Sequence, residues 1–266
     1  MIERKSSVIL ATMNSTNKLP QITIAFWIMK ICATTLGETA GDLLSMRLNV
    51  GYAISSIILF SFFLITLVIQ LLSKKYHPVI YWLVILATST AGTTMSDFMD
   101  RTLALGYATG SLILVTLLII TLVTWKITQG SLSVTNIKSL RGEVFYWIAI
   151  LFSNTLGTAL GDFLSDNSGL GFFGGAILIG SLLLLIVLAY YFTKISHVVL
   201  FWLAFVLTRP FGATFGDLLT KPVAKGGLNF GTIGSSIILF GILAVLIIVA
   251  TIKMNATNKN TTLSNA

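Results

Sequence analysis

Phe-Trp-Ile-Met-Lys-Ile-Cys-Ala-Thr-Thr-Leu-Gly-Glu-Thr-Ala-Gly-Asp, residues 26–42, decides the fold, because the chain writes the same pattern four times. An aromatic residue and Trp are followed ten residues later by Gly, and five after that by Asp. The copies are Trp27–Gly37–Asp42, Trp82–Gly92–Asp97, Trp147–Gly157–Asp162 and Trp202–Gly212–Asp217, preceded by Phe26, Tyr81, Tyr146 and Phe201. A matched acid at a matched place in four oily segments predicts where the protein works.

Each copy continues into a second, nearly pure aliphatic segment that opens at a glycine, as in Leu48–Phe60 and Leu228–Phe240. About 20 apolar residues cross a bilayer. The pattern predicts spans near 21–41, 52–72, 79–98, 104–125, 144–163, 170–192, 198–218 and 232–252. The expected fold is all-α: a polytopic membrane protein of eight transmembrane helices, arranged as four tandem two-helix repeats. An even number of spans per repeat gives every copy one orientation, the parallel kind of pseudo-symmetry. The Trp residues then form an aromatic belt at one interface. At 1.5 Å per residue the first glycines lie about 15 Å deep and the Asp residues about 22 Å deep. The Asp-to-Asp steps are 55, 65 and 55 residues, so the chain divides into halves. The expected organisation is a cytoplasmic tail 1–20, repeats 1 and 2 in 21–125, a cytoplasmic linker 126–143, repeats 3 and 4 in 144–252, and a tail 253–266.

Composition agrees. Hydrophobic residues make up 55% of the chain and charged ones 10%, against about 25% charged in soluble proteins. The net charge of +8 is unevenly placed. Lys18, Lys74, Lys75, Lys126, Lys138, Arg141, Lys194 and Lys253 fall on the side of the termini, against Arg47, Arg101, Lys221 and Lys225 opposite. The positive-inside bias puts both termini in the cytoplasm. No nucleic-acid motif accompanies the basic residues. The single cysteine, Cys32, reads as a small packing residue.

Small residues recur four apart in the first helices (Gly37/Gly41, Gly92/Ser96, Gly157/Gly161, Gly212/Gly216) and in the second (Gly51/Ser55, Gly106/Gly110, Gly171/Gly175, Gly231/Ser235), as close helix packing requires. The first helices carry mid-depth hydroxyls, among them Thr35, Thr90 and Thr155. They are expected inside the bundle, with the aliphatic helices outside. Ionisable groups at bilayer depth are costly and mark functional paths: Asp42, Asp97, Asp162, Asp217 and Glu38, with Lys30 and Arg209 as counter-charges. Carboxylates and hydroxyls are hard ligands suited to a divalent cation such as Mg²⁺, Ca²⁺ or Mn²⁺, so these five acids are the candidate metal ligands. Units two, three and four have Thr93, Thr158 and Ala213 where unit one has Glu38. Pro210 is expected to bend or break its helix. Asp100 and Asp166 are expected to be solvated in outer loops.

The fourfold Gly-x-x-x-Gly/Ser-Asp, with Phe/Tyr-Trp ahead of it, resembles a bacterial family of uncharacterised membrane-anchored proteins built from four copies of a repeat of unknown function. The resemblance covers roughly residues 21–250. It implies a small integral membrane protein and suggests metal ions as a substrate class. Three functional expectations follow. The first is a transporter or exporter of a small cation, divalent or proton-coupled, using the Asp ring and Glu38. The second is a non-transporting scaffold or partner-binding protein in which each Asp caps the next helix. The third is a haem-binding redox protein using His77 and His197. No nucleophile–base pair or phosphate loop points to an enzyme. Partners are the bilayer and a small cation; no resident cofactor is implied beyond that ion.

Overall fold

The structure, a computed structural model, describes residues 18–137 and 139–264. Most of the expected tail 1–20 lies outside the described residues. Among the described residues there are eight α-helices and no strand: α1 (Ile24–Asp42), α2 (Tyr52–Leu72), α3 (Pro78–Asp97), α4 (Tyr107–Gln129), α5 (Leu140–Asp162), α6 (Gly171–Phe192), α7 (His197–Thr220) and α8 (Thr232–Ser264). The starts follow local chemistry. The Thr23 hydroxyl accepts from the Phe26 N–H, Ser139 caps α5 through the Gly142 N–H, and Pro78 opens α3 where a missing N–H costs nothing. Two boundaries differ from expectation. The helices narrow the 126–143 linker to 130–139, and α8 runs past residue 252 through most of the expected tail.

Seven of the helices are long and apolar enough to cross a membrane; α1, which carries Lys30, Glu38 and Asp42, is not among them. The two classes of helix separate as their sequences require. In α2, α4, α6 and α8 most side chains are exposed aliphatics, whereas α1, α3, α5 and α7 are largely buried. The buried four form a closed ring in the order α1, α3, α5, α7 and back to α1.

Small residues make that ring tight. A methyl group at Gly37 would strike Ser89, at Gly92 Asn154 and Thr155, at Gly157 Arg209, and at Gly212 Thr34. Each glycine thus receives the residue three positions before the next unit's glycine. Gly41, Gly161 and Gly216 likewise receive Thr93, Ala213 and Glu38, the residue just after that glycine. The contacts repeat in one register around the ring.

The outer helices pack across repeat boundaries. The two helices of one repeat do not form a packed hairpin. Instead α2 packs on α3, α4 on α5, α6 on α7, and α8 returns to α1. Each unit hands its second helix to the next, and the last hands its own to the first. The glycines that open the outer segments also differ from expectation. Gly51, Gly106, Gly171 and Gly231 have φ of 81°, 72°, 64° and 74°, with open space where a side chain would stand. They are turn residues in the left-handed region, and do not serve helix contact. Of the second members, Gly110 is close-packed on Asp100 and Gly175 on Thr214, and Ser55 and Ser235 are buried. Pro210 is accommodated within an unbroken α7. Cys32 is buried, its thiol 3.3 Å from the Leu239 carbonyl.

Candidate functional site

Each ring helix turns a stripe of residues four apart toward its ring neighbours. In α1 it is Phe26, Lys30, Thr34, Glu38, Asp42; in α3 Tyr81, Ile85, Ser89, Thr93, Asp97; in α5 Tyr146, Ile150, Asn154, Thr158, Asp162; in α7 Phe201, Phe205, Arg209, Ala213, Asp217. All but Phe201 are buried. Stacked, they make layers along one axis.

The Asp layer comes in two pairs, each held by one cation. Lys221 Nζ lies 2.7 Å from Asp42 Oδ2 and 3.1 Å from Asp217 Oδ1. Arg101 Nη2 donates to Asp162 Oδ2 at 2.9 Å, and its Nε is 2.9 Å from Asp97 Oδ1, out of line for a hydrogen bond. Burial works against the Lys221 ammonium, but Asp217 and Asp42 outweigh it and hold its proton more firmly than an ordinary lysine's. None of the acids caps a helix. Asp42, Asp97 and Asp162 each lead into one π-helical turn (Leu43–Arg47, Phe98–Thr102, Phe163–Asn167) without a side-chain capping bond. The capping role expected of them under the scaffold alternative is therefore corrected: they face Lys221 and Arg101, two cations for four acids. These cations had been assigned to outer connections. They sit four residues after Asp217 and Asp97, so the stripe itself, extended one turn, would have found them.

One turn deeper the units diverge. Glu38, Thr93, Thr158 and Ala213 share this level, and Arg209 reaches into it. Arg209 Nη2 shares its two protons among Glu38 Oε2 at 3.0 Å, Thr93 Oγ1 at 2.5 Å and Thr158 Oγ1 at 2.6 Å. Glu38 also meets the layer above: carboxylate oxygens of Glu38, Asp162 and Asp217 lie within 4.8 Å of one another. These three acids, from three units, are a set that could hold a cation; Asp42 and Asp97 stand outside it.

Lys30 is fully buried without a carboxylate partner. Its ammonium donates to Asn154 Oδ1 at 3.2 Å and sits 4.1 Å from the Phe205 ring centroid. Asn154 in turn donates to Thr88 Oγ1 at 2.8 Å. So Arg209 ion-pairs as an intramembrane counter-charge should, and Lys30 does not.

The far end is aromatic. Phe26 meets Trp82, Tyr81 meets Trp147, Tyr146 meets Trp202 and Phe201 meets Trp27, at ring separations of 5.6, 5.6, 6.3 and 5.7 Å. The Tyr81 and Tyr146 hydroxyls share a hydrogen bond of 2.6 Å. Trp82, Trp147 and Trp202 are buried, so the expected belt facing the interface is instead a collar closed on itself. Beside it a buried acid escaped notice: Glu143, paired with Lys18 at 2.9 Å and receiving the Gln70 amide at 3.3 Å.

Other predicted residues fall off the axis. Thr35, Thr90 and Thr155 return their hydroxyls to carbonyls of their own helices, at Ile31, Ala87 and Leu151. The hydroxyls that serve the column are Thr93 and Thr158. Ser96, standing for a glycine, donates to Asp100 Oδ2 at 3.2 Å, and Asp100 is buried where a solvated loop was expected. Asp166 is exposed, accepting from the Tyr107 hydroxyl at 3.1 Å. His77 and His197 are exposed at helix starts, the His197 ring tilted against Tyr190 at 4.5 Å.

No curated protein and no solved structure matches this chain. A family model described as Repeat of Unknown Function (DUF347) matches residues 25–76, 80–131, 145–196 and 200–254. Each match begins at one ring helix, includes its Asp, and covers the outer helix that follows. With most of its length in four copies of that repeat, the chain belongs to the DUF347 family.

Proposed function

We propose that the protein is a transporter or exporter of a small cation across a bacterial inner membrane. In this reading all eight helices span, the termini are cytoplasmic, and the four repeats stand parallel around the axis. The same-register glycine and aromatic contacts support the parallel arrangement. The loop-charge bias supports the orientation.

The observation that carries the function is the meeting of Glu38, Asp162 and Asp217, with oxygens within 4.8 Å of one another at bilayer depth. Carboxylates this close repel unless a cation or a proton sits among them. Hard oxygen donors favour a divalent ion of the Mg²⁺, Ca²⁺ or Mn²⁺ type, taken here as substrate. The Asp layer, where Lys221 and Arg101 set an electrostatic threshold, is one end of the path, and the aromatic collar closes the other. The alternative, a scaffold, is what a column wholly spent on internal ion pairs would favour.

Flux separates the two. In proteoliposomes loaded with a divalent-sensitive dye, Asp162→Asn and Asp217→Asn are expected to lose at least tenfold of the wild-type rate while their melting temperatures stay within a few degrees. Unchanged flux in both, or no flux of any ion in the wild type, would sink the transport reading.

A further inference from the structure

An arginine held by a carboxylate normally uses its fork, two parallel N–H donors on two oxygens. Arg209 does not. One nitrogen, Nη2, takes every short contact: Thr93 Oγ1 at 2.5 Å, Thr158 Oγ1 at 2.6 Å and Glu38 Oε2 at 3.0 Å, with the Ser89 carbonyl at 3.4 Å. Nη1 reaches only the Thr34 carbonyl, at 3.4 Å, and Nε finds no acceptor, although the residue is fully buried. Unmet donors on a buried guanidinium are costly. The oxygens are therefore laid out for a point charge and fit a planar fork poorly. They come from three helices, α1, α3 and α5, and comprise a carboxylate, two hydroxyls and a carbonyl. That is the hard-oxygen shell a small divalent cation takes.

Gly157 makes the room that Arg209 occupies between α5 and α7. The Arg209 stem lies on it, where any side chain would collide. Pro210, next in sequence, has no N–H to give the preceding turn, so the backbone carrying Arg209 is short of one hydrogen bond. Thr158 has Glu38 Oε2 at 3.4 Å to receive its own hydroxyl proton, and Thr93 has the Ser89 carbonyl, the Gly37 carbonyl and Glu38 Oε2 at 3.1, 3.2 and 3.3 Å. That leaves their lone pairs for whatever cation is central.

We propose that Arg209 is a tethered competitor seated in a mid-membrane cation site. The site is formed by Glu38 Oε2, Thr93 Oγ1, Thr158 Oγ1 and the Ser89 carbonyl, and a divalent cation takes those oxygens when Arg209 swings aside. The proposal rests on the cation reading above and adds to it a defined ligand set and a built-in occupant. Arg209 keeps the site charge-balanced when no ion is in transit, and the ion must displace it to pass.

The test is equilibrium binding to the purified full-length protein in detergent. Mg²⁺, Ca²⁺ and Mn²⁺ are titrated separately, and binding is read by calorimetry and thermal shift. Arg209→Gln is expected to bind at least one ion at least tenfold more tightly than the wild type, with a saturable rise in melting temperature. Adding Glu38→Gln to that variant should abolish both. A folded Arg209→Gln protein with no gain overturns the proposal, as does a gain that survives Glu38→Gln. If Arg209→Gln folds only with an ion supplied, the ion replaces the lost charge and the proposal stands. If it stays unfolded with each ion in millimolar excess, Arg209 is a structural post and the proposal falls. Flux is not read here. A wild type without flux, beside a variant with the gain, would remove transport and keep this site.

Discussion

The Asp layer and the Glu38 layer are one helical turn apart and built on opposite plans. In the outer layer every unit contributes the same residue, and two cations divide the four acids into equivalent pairs, Asp42 with Asp217 on Lys221 and Asp97 with Asp162 on Arg101. In the deeper layer the four helices contribute Glu, Thr, Thr and Ala, and one guanidinium binds three of the four sides together. A layer in which repeats agree is kept in step by the geometry that all of them share. A layer in which they disagree has been shaped for a task at one point. The comparison teaches that the repeated Asp marks the site and the unrepeated residues define it.

The largest expected effect sharpens this contrast. Glu38→Ala leaves Arg209 fully buried without its counter-charge, and breaking a buried pair from one side costs about 3–5 kcal/mol. Chemical unfolding in mixed micelles reads it; a loss below about 1 kcal/mol would place the pair in water-like surroundings and break the contrast. Next come the clamps. Arg101→Gln and Lys221→Gln each remove a charged hydrogen bond to a buried carboxylate, for about 1.5–3 kcal/mol. If the outer layer is truly twofold, the two losses agree within about 0.5 kcal/mol; a gap above about 1 kcal/mol says that one Asp pair carries the layer alone. The smallest effect compares hydroxyls on one helix. Thr158→Val, which takes an acceptor from Arg209, should cost about 1 kcal/mol. Thr155→Val, whose hydroxyl only returns to its own helix, should stay within about 0.5 kcal/mol. Equal losses would show that the axis-facing hydroxyl is not special.

The last pair shows what was legible in the sequence. Repeat register tells which residues share a depth, and all eight helices fall close to the stretches that the apolar runs mark. Rotation about the helix axis is harder to read. Positions one apart differ by about 100°, so Thr34 faces the ring while Thr35 does not, and a list of mid-depth threonines cannot choose between them. Partner choice is harder still. The connection from α2 to α3, residues 73–77, is shorter than that from α1 to α2, residues 43–51, but the repeat unit groups α2 with α1, and of the outer packings only that of α8 on α1 joins helices far apart in sequence. Arg101 and Lys221 were hidden for a different reason. A cation just past the apolar stretch reads as a topology signal, and only the fold turns it back over the acids. The Trp residues went the same way: amphipathic rings suit an interface, but here they find each other first.

Closure of the ring by its last members has a consequence for how the protein is made. Glu38 waits for Arg209, 171 residues later, and Asp42 for Lys221, 179 residues later. At ribosomal rates of about 5–20 residues per second, the delay is on the order of 10–35 s. Throughout it α1 carries Lys30, Glu38 and Asp42 with none of its α7 partners yet synthesised, and no α8 to cover it. The first helix to emerge is therefore the last to be satisfied. It must be held, by the insertion machinery or at the membrane surface, until α7 and α8 arrive.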